Sequence, residues 1–316
     1  MSLAYLVKRL LWILVTLLVV SVVVFGITQI LPGNAAVMIL GQYATPEALK
    51  ALEQQLGLDQ PSYVQYLHWL GHLLTGDWGT SMQMSRPVLP VVLQALGNSL
   101  FLAIPTLLLV VVLSIPLGIL AAVYRGSVFD MAITMLSYLG VSLPEFVTAT
   151  LLLAFLARPQ LGIFPSGGFV PPTQNLVESL RSVALPIVAM AIILMAHISR
   201  QTRSEMVDVL HSDYVRAAIL KGLPMRTVLI KHALRNALLP TITVLALDVR
   251  YLLGGIVIVE EVFAFPGIGR LTVFAVQNRD LPLIQACVLV LAAVCALASL
   301  AADILYAYVN PRIEYN

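Results

Sequence analysis

The chain has 316 residues, of which 59% are hydrophobic and only 11% carry a charged side chain. Soluble domains contain about 25% charged and about 45 to 50% apolar residues. This composition therefore excludes an ordinary water-soluble fold and predicts an integral membrane protein. The formal net charge of +2 is too small to suggest a nucleic-acid-binding protein.

Six apolar stretches are long enough to cross a membrane, because a bilayer core of about 30 Å needs roughly 20 helical residues. They lack the alternation expected of membrane β-strands. We therefore predict an all-α membrane protein with one transmembrane domain, residues 1–316, and six transmembrane helices. The first helix is expected to be retained, since it is longer than the apolar part of a secretory signal peptide. The predicted spans are residues 10–31, 98–124, 131–157, 183–199, 237–259 and 281–305.

Lysine and arginine are distributed unequally between the two sides of this predicted topology. An even number of spans places both termini on one side, and that side collects eleven of the 18 basic residues, against six on the other. Loops rich in Lys and Arg face the cytoplasm, so both termini are predicted to be cytoplasmic. Seven of the eleven lie in one segment, residues 200–235.

The segment between the first two spans, residues 32–97, is predicted to be a folded extracytoplasmic cap. Thr45 is a suitable N-cap for a helix over Pro46–Leu56. The stretch Pro61–Leu74 has apolar side chains at helical spacing. Two interpretations remain open: the cap docks an extracytoplasmic partner, or it covers the helix ends.

Two histidines in this cap, His68 and His72, are four residues apart and share a helical face, a spacing that can bind zinc. Trp69 stands where a zinc-protease motif requires Glu. No carboxylate or thiol follows within the next turn, so no metal site is predicted.

The basic segment 200–235 is predicted to contain two short helices joined by a tight turn. Ser212 can cap the first helix, with Asp213 in its first turn, where a negative charge is favourable. Gly222 suits the left-handed position that ends this helix, and Pro224 suits the first turn of the second. The segment is either an amphipathic helix on the membrane surface or a binding surface for a cytoplasmic partner.

The stretch Arg216–Gly222 resembles the EAA loop of the transmembrane subunits of ABC importers. Ala217, Ala218 and Gly222 match that pattern, whereas Arg216 stands in place of its Glu. In that family the loop forms a coupling helix that sits in a groove of an ATPase subunit. The resemblance assigns ATPase coupling to Tyr214, Arg216, Ala217, Ala218, Lys221 and Gly222.

Further motifs resemble the dipeptide, oligopeptide and nickel branch of these importers. They are His232–Pro240, Val262–Arg270, Asn310–Ile313, Leu56–Pro61 and Ile115–Gly118. The resemblance implies a B-type permease subunit in the prokaryotic inner membrane, surrounded by lipid and carrying peptides, with nickel or a metal chelate as the alternative substrate. It also implies three kinds of partner: a homologous C-type permease subunit, two ATPase subunits and an extracytoplasmic substrate-binding protein. ATP and Mg²⁺ would bind to the ATPases, because this chain has no Gly-Lys pair and hence no GxxxxGK[ST] phosphate loop.

Four charged residues fall within the predicted spans. Asp303 is at the end of the last one, and the other three lie deeper, where an ionised group normally faces a cavity or a partner. Asp248 and Arg250 are two positions apart and therefore point in opposite directions around their helix. We expect them to line the pathway and to meet the termini of a zwitterionic peptide or another charged solute. An inter-subunit salt bridge, or an Arg reaching to the interface, is the alternative. Glu145, which follows Pro144, is expected either to line the pathway or to pack against a polar partner.

From the residues alone, a secondary transporter or channel and an intramembrane enzyme remain alternatives to an ATP-driven permease. Broken helices in paired halves, which are common in secondary transporters, are not expected here. Glu260 and Glu261 are expected to be solvated at the outer end of the fifth span.

Overall fold

A computed structural model of the chain describes residues 3–30, 45–55 and 59–309. These residues form eleven helices, and the β-structure among them is an isolated bridge between Thr80 and Pro87. The helices are α1 (Leu3–Ile30), α2 (Pro46–Gln55), α3 (Ser62–Thr75), α4 (Val88–Val123), α5 (Val128–Ser142), α6 (Glu145–Leu156), α7 (Leu176–Leu210), α8 (Asp213–Leu220), α9 (Met225–Val262), α10 (Ile268–Gln277) and α11 (Leu281–Val309).

The prediction of an all-α membrane protein is confirmed. Five helices, α1, α4, α7, α9 and α11, are long and apolar enough to cross a membrane, and α5 with α6 would make a sixth span. Several of them extend beyond the apolar stretches. Helix α7, for example, has 35 residues, because a helix continues where its end leaves the bilayer. The motif Leu56–Pro61 lies partly outside the described residues, and the motif Asn310–Ile313 lies wholly outside them.

The third span was predicted as one helix over residues 131–157, and this prediction is wrong. Helices α5 and α6 meet at an angle of 106°. Pro144 has no N–H to continue the helical ladder and disfavours helical geometry at the residue before it. Leu143 accordingly has extended backbone angles, φ −93° and ψ 127°. The span is therefore broken immediately before Glu145.

Among the described residues, the chain divides into two compact units. The first consists mainly of Ser99–Pro266 and the second of Val7–Asn98 with Gly267–Ala296. The core of the first unit is formed by α4, α6, α7 and α9, with fully buried residues such as Leu102, Ala149 and Ile256. Small residues allow these helices to approach closely. An ideal Cβ added to Gly118 of α4 would lie 2.6 Å from the carbonyl oxygen of Ser199 on α7.

The second unit packs α1, the first turns of α4, α10 and the first half of α11 around Val92, Ala275 and Leu283. The Asp280 carboxylate is fully buried before α11, where it accepts hydrogen bonds from the Ser81 hydroxyl and from the Gln83 N–H. This arrangement fixes the end of the predicted cap against the beginning of α11.

The predicted outer cap is a folded segment in its described parts. Thr45 Oγ1 accepts a hydrogen bond from the Ala48 N–H at 3.2 Å, which confirms the predicted cap of α2. Helix α3 packs on α1 through the rings of Tyr66 and Trp69, each with its centroid 5.5 Å from that of Phe25. Helix α4 begins at Val88, within the predicted cap, and continues into the second apolar stretch. Residues 32–44 of the cap lie outside the described residues.

Candidate functional site

Helix α8 is the short helix that was predicted in the basic segment. The amide N–H groups of Lys221 and Gly222 donate hydrogen bonds to the carbonyl oxygens of Ala217 and Ile219, at 3.1 and 2.9 Å, and close its last turn. Gly222 has φ +76°, in the left-handed region that favours glycine. The predicted helix end at Gly222 is confirmed.

The two ends of this segment differ from the prediction in detail. Ser212 occupies the N-cap position, but its hydroxyl donates to the Val209 carbonyl oxygen at 2.5 Å and caps no N–H of α8. The second helix is not a separate short helix. It begins at Met225 and continues into the fifth span as α9, with a π-helical turn over Val228–Ala233. Such turns are rare and occur often at functional sites.

The predicted coupling residues of α8 divide into buried and exposed ones. Ala218 is buried against Leu210 of α7 and Val228 of α9, as is Val215, which was not among the predicted residues. The remaining predicted residues are exposed: Tyr214, Arg216, Ala217, Lys221 and Gly222. Ala218 therefore holds α8 against its own chain, whereas the other five face outward.

Tyr214 also has a partner that the sequence reasoning missed. The side-chain amide of Asn236 on α9 donates a hydrogen bond to the Tyr214 hydroxyl at 2.9 Å. Asn236 belongs to the motif His232–Pro240 and follows the π-helical turn. The motif was a usable signal, because a polar Asn at the start of an apolar span needs a partner. This bond ties α8 to the beginning of α9.

Two of the seven basic residues assigned to the loop belong to α7 instead. Arg203 forms an ion pair with Asp130 of α5, and the guanidinium of Arg200 lies over the ring of Tyr138, 5.9 Å from its centroid. Both residues belong to α7 because this helix continues to Leu210 before it ends. The other five remain exposed: Arg216, Lys221, Arg226, Lys231 and Arg235.

Asp248 and Arg250 point in opposite directions, as their spacing predicts. The Asp248 side chain is buried and contacts His197 of α7, whose Nδ1 lies 3.1 and 3.2 Å from the two carboxylate oxygens. The His197 side chain is 47% exposed, so this polar pair reaches an open surface. Arg250 is exposed on the other side of α9. His197 was missed, although a histidine in an otherwise uncharged span is itself a signal of function.

Glu145 is the first residue of α6, directly after the break, and it is only 8% exposed. Within the described part of the chain, no hydrogen bond or ion pair reaches its carboxylate. The carboxylate instead lies against Gly255 of α9, where an ideal Cβ would come within 2.6 Å of Glu145 Cδ. Gly255 is seven residues, or about two helical turns, after Asp248, so both face the same side of α9. The structure thus brings Glu145 and Asp248 to one helix face and leaves Arg250 on another.

The expectation that Glu260 is solvated is wrong. Glu260 is fully buried, and Ser99 of α4 donates a hydrogen bond to its Oε1 at 2.5 Å. Its backbone carbonyl accepts from the N–H of Phe265, whose ring lies 4.8 Å from that of Phe169. These contacts give the motif Val262–Arg270 a structural role, because the ring of its Phe265 fills the core at the end of α9.

No cluster of three or more His, Cys, Asp or Glu side chains able to hold a metal ion occurs within residues 3–30, 45–55 and 59–309. His72, one of the two histidines of the cap, contacts Asp77 at 3.2 Å.

Comparisons with known proteins place these features in a family. Residues 114–315 match the binding-protein-dependent transport system inner membrane component, and residues 2–101 match the N-terminal part of such membrane components. The chain is 37% identical to the dipeptide transport system permease protein DppB of Alkalihalophilus pseudofirmus, over 99% of this chain and 100% of that protein. It is 38% identical to the oligopeptide transport system permease protein AppB of Bacillus subtilis, over 99% of each. It is also 40% identical to the glutathione transport system permease protein GsiC of Salmonella typhi, over 98% and 99%. The chain therefore belongs to the family of inner membrane components of binding-protein-dependent transport systems.

Proposed function

We propose that this chain is the B-type membrane subunit of an ATP-driven importer for peptides. The relatives described above are named for dipeptide, oligopeptide and glutathione transport, and glutathione is itself a peptide. Their names support a peptide substrate over the nickel or metal-chelate alternative. Membership of a binding-protein-dependent family does not favour a secondary transporter or channel.

In this proposal the chain is paired with a homologous C-type permease subunit and with two cytoplasmic ATPases. An extracytoplasmic binding protein delivers the peptide. Because the sequence has no phosphate loop, ATP and Mg²⁺ bind to the ATPase subunits, and this chain holds no cofactor and has no catalytic role. The distribution of basic residues supports cytoplasmic termini.

The exposed surface of α8 is the observation that carries this proposal. Tyr214 is 44% and Leu220 is 82% exposed, and the exposed cations of Arg216 and Lys221 lie beside them. An apolar surface with a charged rim, on a helix outside the spans, is typical of a protein-binding site. We assign it to the ATPase. Ala218 stabilises α8 by packing against α7 and α9, and Gly222 allows the chain to turn into α9.

Transport in this proposal begins with the ATPases. When they close on ATP, they draw the two coupling helices of the paired permease subunits together. The short connections from α8 to α7 and to α9 pass this displacement to two spans at once, since α8 lies between them in the chain and packs against both. The spans then rock and the pathway opens outward.

The polar face formed by Asp248, His197 and Glu145 is assigned to the translocation pathway. Two acidic groups beside the same face of α9 can meet the ammonium end of a peptide. Carboxylates at membrane depth normally face a cavity or a partner. Arg250, on the opposite side of α9, is assigned to a contact with the C-type subunit.

The proposal is tested at Gly222. An ideal Cβ at this position meets nothing of its own chain within 4 Å, so within this subunit Gly222→Val acts only through the backbone, where a left-handed L-residue costs about 1 to 2 kcal/mol. In the complete transporter in proteoliposomes, we expect Gly222→Val to reduce peptide uptake per ATP hydrolysed while the protein stays in the membrane. Gly222→Asn is the matched control, because Asn tolerates this conformation. Normal coupling in the valine variant would show that the geometry of this turn does not serve the ATPase.

A further inference from the structure

Helices α5 and α7 of the first unit are joined along much of the length of α5. One contact is an ion pair, one is a hydrogen bond of 3.2 Å between two hydroxyl groups, and one is a close approach at a glycine. The contacts are Asp130 to Arg203, Ser137 to Ser199, and Gly140 to Ala196. Because polar bonds have defined partners, these two helices cannot slide past each other without breaking them.

The ion pair has two parallel hydrogen bonds. Arg203 Nε donates to Asp130 Oδ1 at 2.5 Å, and Arg203 Nη2 donates to Oδ2 at 2.8 Å. Asp130 is buried, with only 5% of its surface exposed. Its Oδ2 also accepts a hydrogen bond from the Gly126 N–H at 3.0 Å. Two-pronged arginine-carboxylate contacts are directional as well as strong. The pair therefore fixes both the distance and the orientation of the two helices.

The position of this pair links α8 to the break in the third span. Arg203 is seven residues, about two turns, before Leu210, and Leu210 packs against Val215 and Ala218 of α8. At the other end of α5 lies the bend at Pro144, followed by Glu145. A displacement of α8 that moves the end of α7 would thus also move α5, and the bend is where α5 can rotate against α6.

We propose that Asp130 and Arg203 are positioning residues that make α5 move as one body with α7 and the coupling helix α8. Through them, motion of α8 reaches the bend at Pro144 and changes the position of Glu145. This inference rests on the proposed function, since it needs a transporter in which α8 is moved by an ATPase. Without the ion pair, the contacts of Ser137 with Ser199 and of Gly140 with Ala196 remain, but α5 follows the movement of α7 less closely.

The test compares ATP hydrolysis with uptake of a labelled mixture of di- to pentapeptides by the complete transporter in proteoliposomes. The variants are Asp130→Asn, Arg203→Gln and the double variant. We expect each single variant to keep ATP hydrolysis but to lose about fivefold or more of the peptide imported per ATP, the lower end of typical coupling between sites. The double variant should be no worse than the more impaired single variant, because both remove the same contact.

The matched control is Glu178→Gln, which removes an ion pair with Arg181 near the other end of the same helix α7. That pair is 2.9 Å long, but both side chains are about 40% exposed, so its loss should leave uptake per ATP unchanged. If Asp130→Asn does not assemble, Arg203→Lys, which keeps the charge but not the two-pronged contact, is held to the same criterion.

Two results would overturn the inference. One is wild-type uptake per ATP in the single variants. The other is a proportional loss of uptake and ATP hydrolysis, which would mean that the pair serves only folding or assembly. A failure of the proposed function itself is distinguishable, because the wild-type transporter would then show no ATP-dependent peptide uptake at all.

Discussion

The crossing of α4 and α7 at Gly118 allows a prediction whose size follows from the structure. In Gly118→Ala, the new Cβ would lie 2.6 Å from the Ser199 carbonyl oxygen and 2.6 Å from Thr202 Cβ, whereas ordinary contacts of a Cβ begin at 3.4 Å. The two helices must therefore separate by roughly 1 Å, a gap that removes a substantial part of their van der Waals attraction.

The expected cost is at the upper end of the overpacking range of about 1 to 3 kcal/mol, because the Ser199 oxygen belongs to the backbone and cannot rotate away. The higher helix propensity of Ala returns about 1 kcal/mol. We therefore expect Gly118→Ala to lower the free energy of unfolding by about 1 to 2 kcal/mol. Gly97→Ala, on the same helix, is the control: an ideal Cβ there meets nothing within 4 Å, so only the gain in helix propensity remains.

The measurement is thermal unfolding of the purified protein in detergent, followed by loss of the monodisperse peak in size-exclusion chromatography. Gly118→Ala should lower the midpoint, and Gly97→Ala should leave it unchanged or raise it. Thr202→Ala should not rescue Gly118→Ala, because the Ser199 oxygen stays in place. Equal midpoints for the two alanine variants would refute the reasoning.

Two further predictions concern polar groups. Asp248→Asn keeps the shape of the side chain but removes its charge. We expect about tenfold slower peptide uptake, since a hydrogen bond to a charged group contributes ~1.5 kcal/mol or more. Unchanged uptake for every substrate class would show that Asp248 does not line the pathway. Ser81→Ala deprives the buried Asp280 carboxylate of a donor and should destabilise the protein by about 1 to 3 kcal/mol in the same unfolding assay, with the exposed Ser62→Ala as the unchanged control. A normal midpoint for Ser81→Ala would contradict the role of that bond.

Much of the fold could be predicted because each signal was local. The thickness of the bilayer sets the length of an apolar helix, and this was enough to locate the long apolar helices. The turn at Gly222 could be predicted because the left-handed conformation selects glycine. Pro144 also signalled a disturbance, but the size of a bend depends on what packs on either side. The angle of 106° between α5 and α6 could therefore not be inferred from the proline alone.

The candidate site was predicted less completely. The exposed coupling residues and the opposite directions of Asp248 and Arg250 follow from helical periodicity. The partners of the charged residues do not. His197 and Asp248 are 51 residues apart in the chain, and Asp130 and Arg203 are 73 apart. No spacing rule connects residues on different helices.

By itself, the sequence determined that this is an all-α membrane protein with a basic segment between its fourth and fifth apolar stretches, because length, hydropathy and periodicity are properties of one stretch at a time. Only the tertiary structure decided which buried carboxylates are paired. It joined Asp130 to Arg203 and Glu260 to Ser99, and it left Glu145 against Gly255. The physical reason is that the partner of a buried charge is set by how helices cross. Their crossings depend on how small residues such as Gly118 pack against other helices. These packing partners lie in different stretches of the sequence.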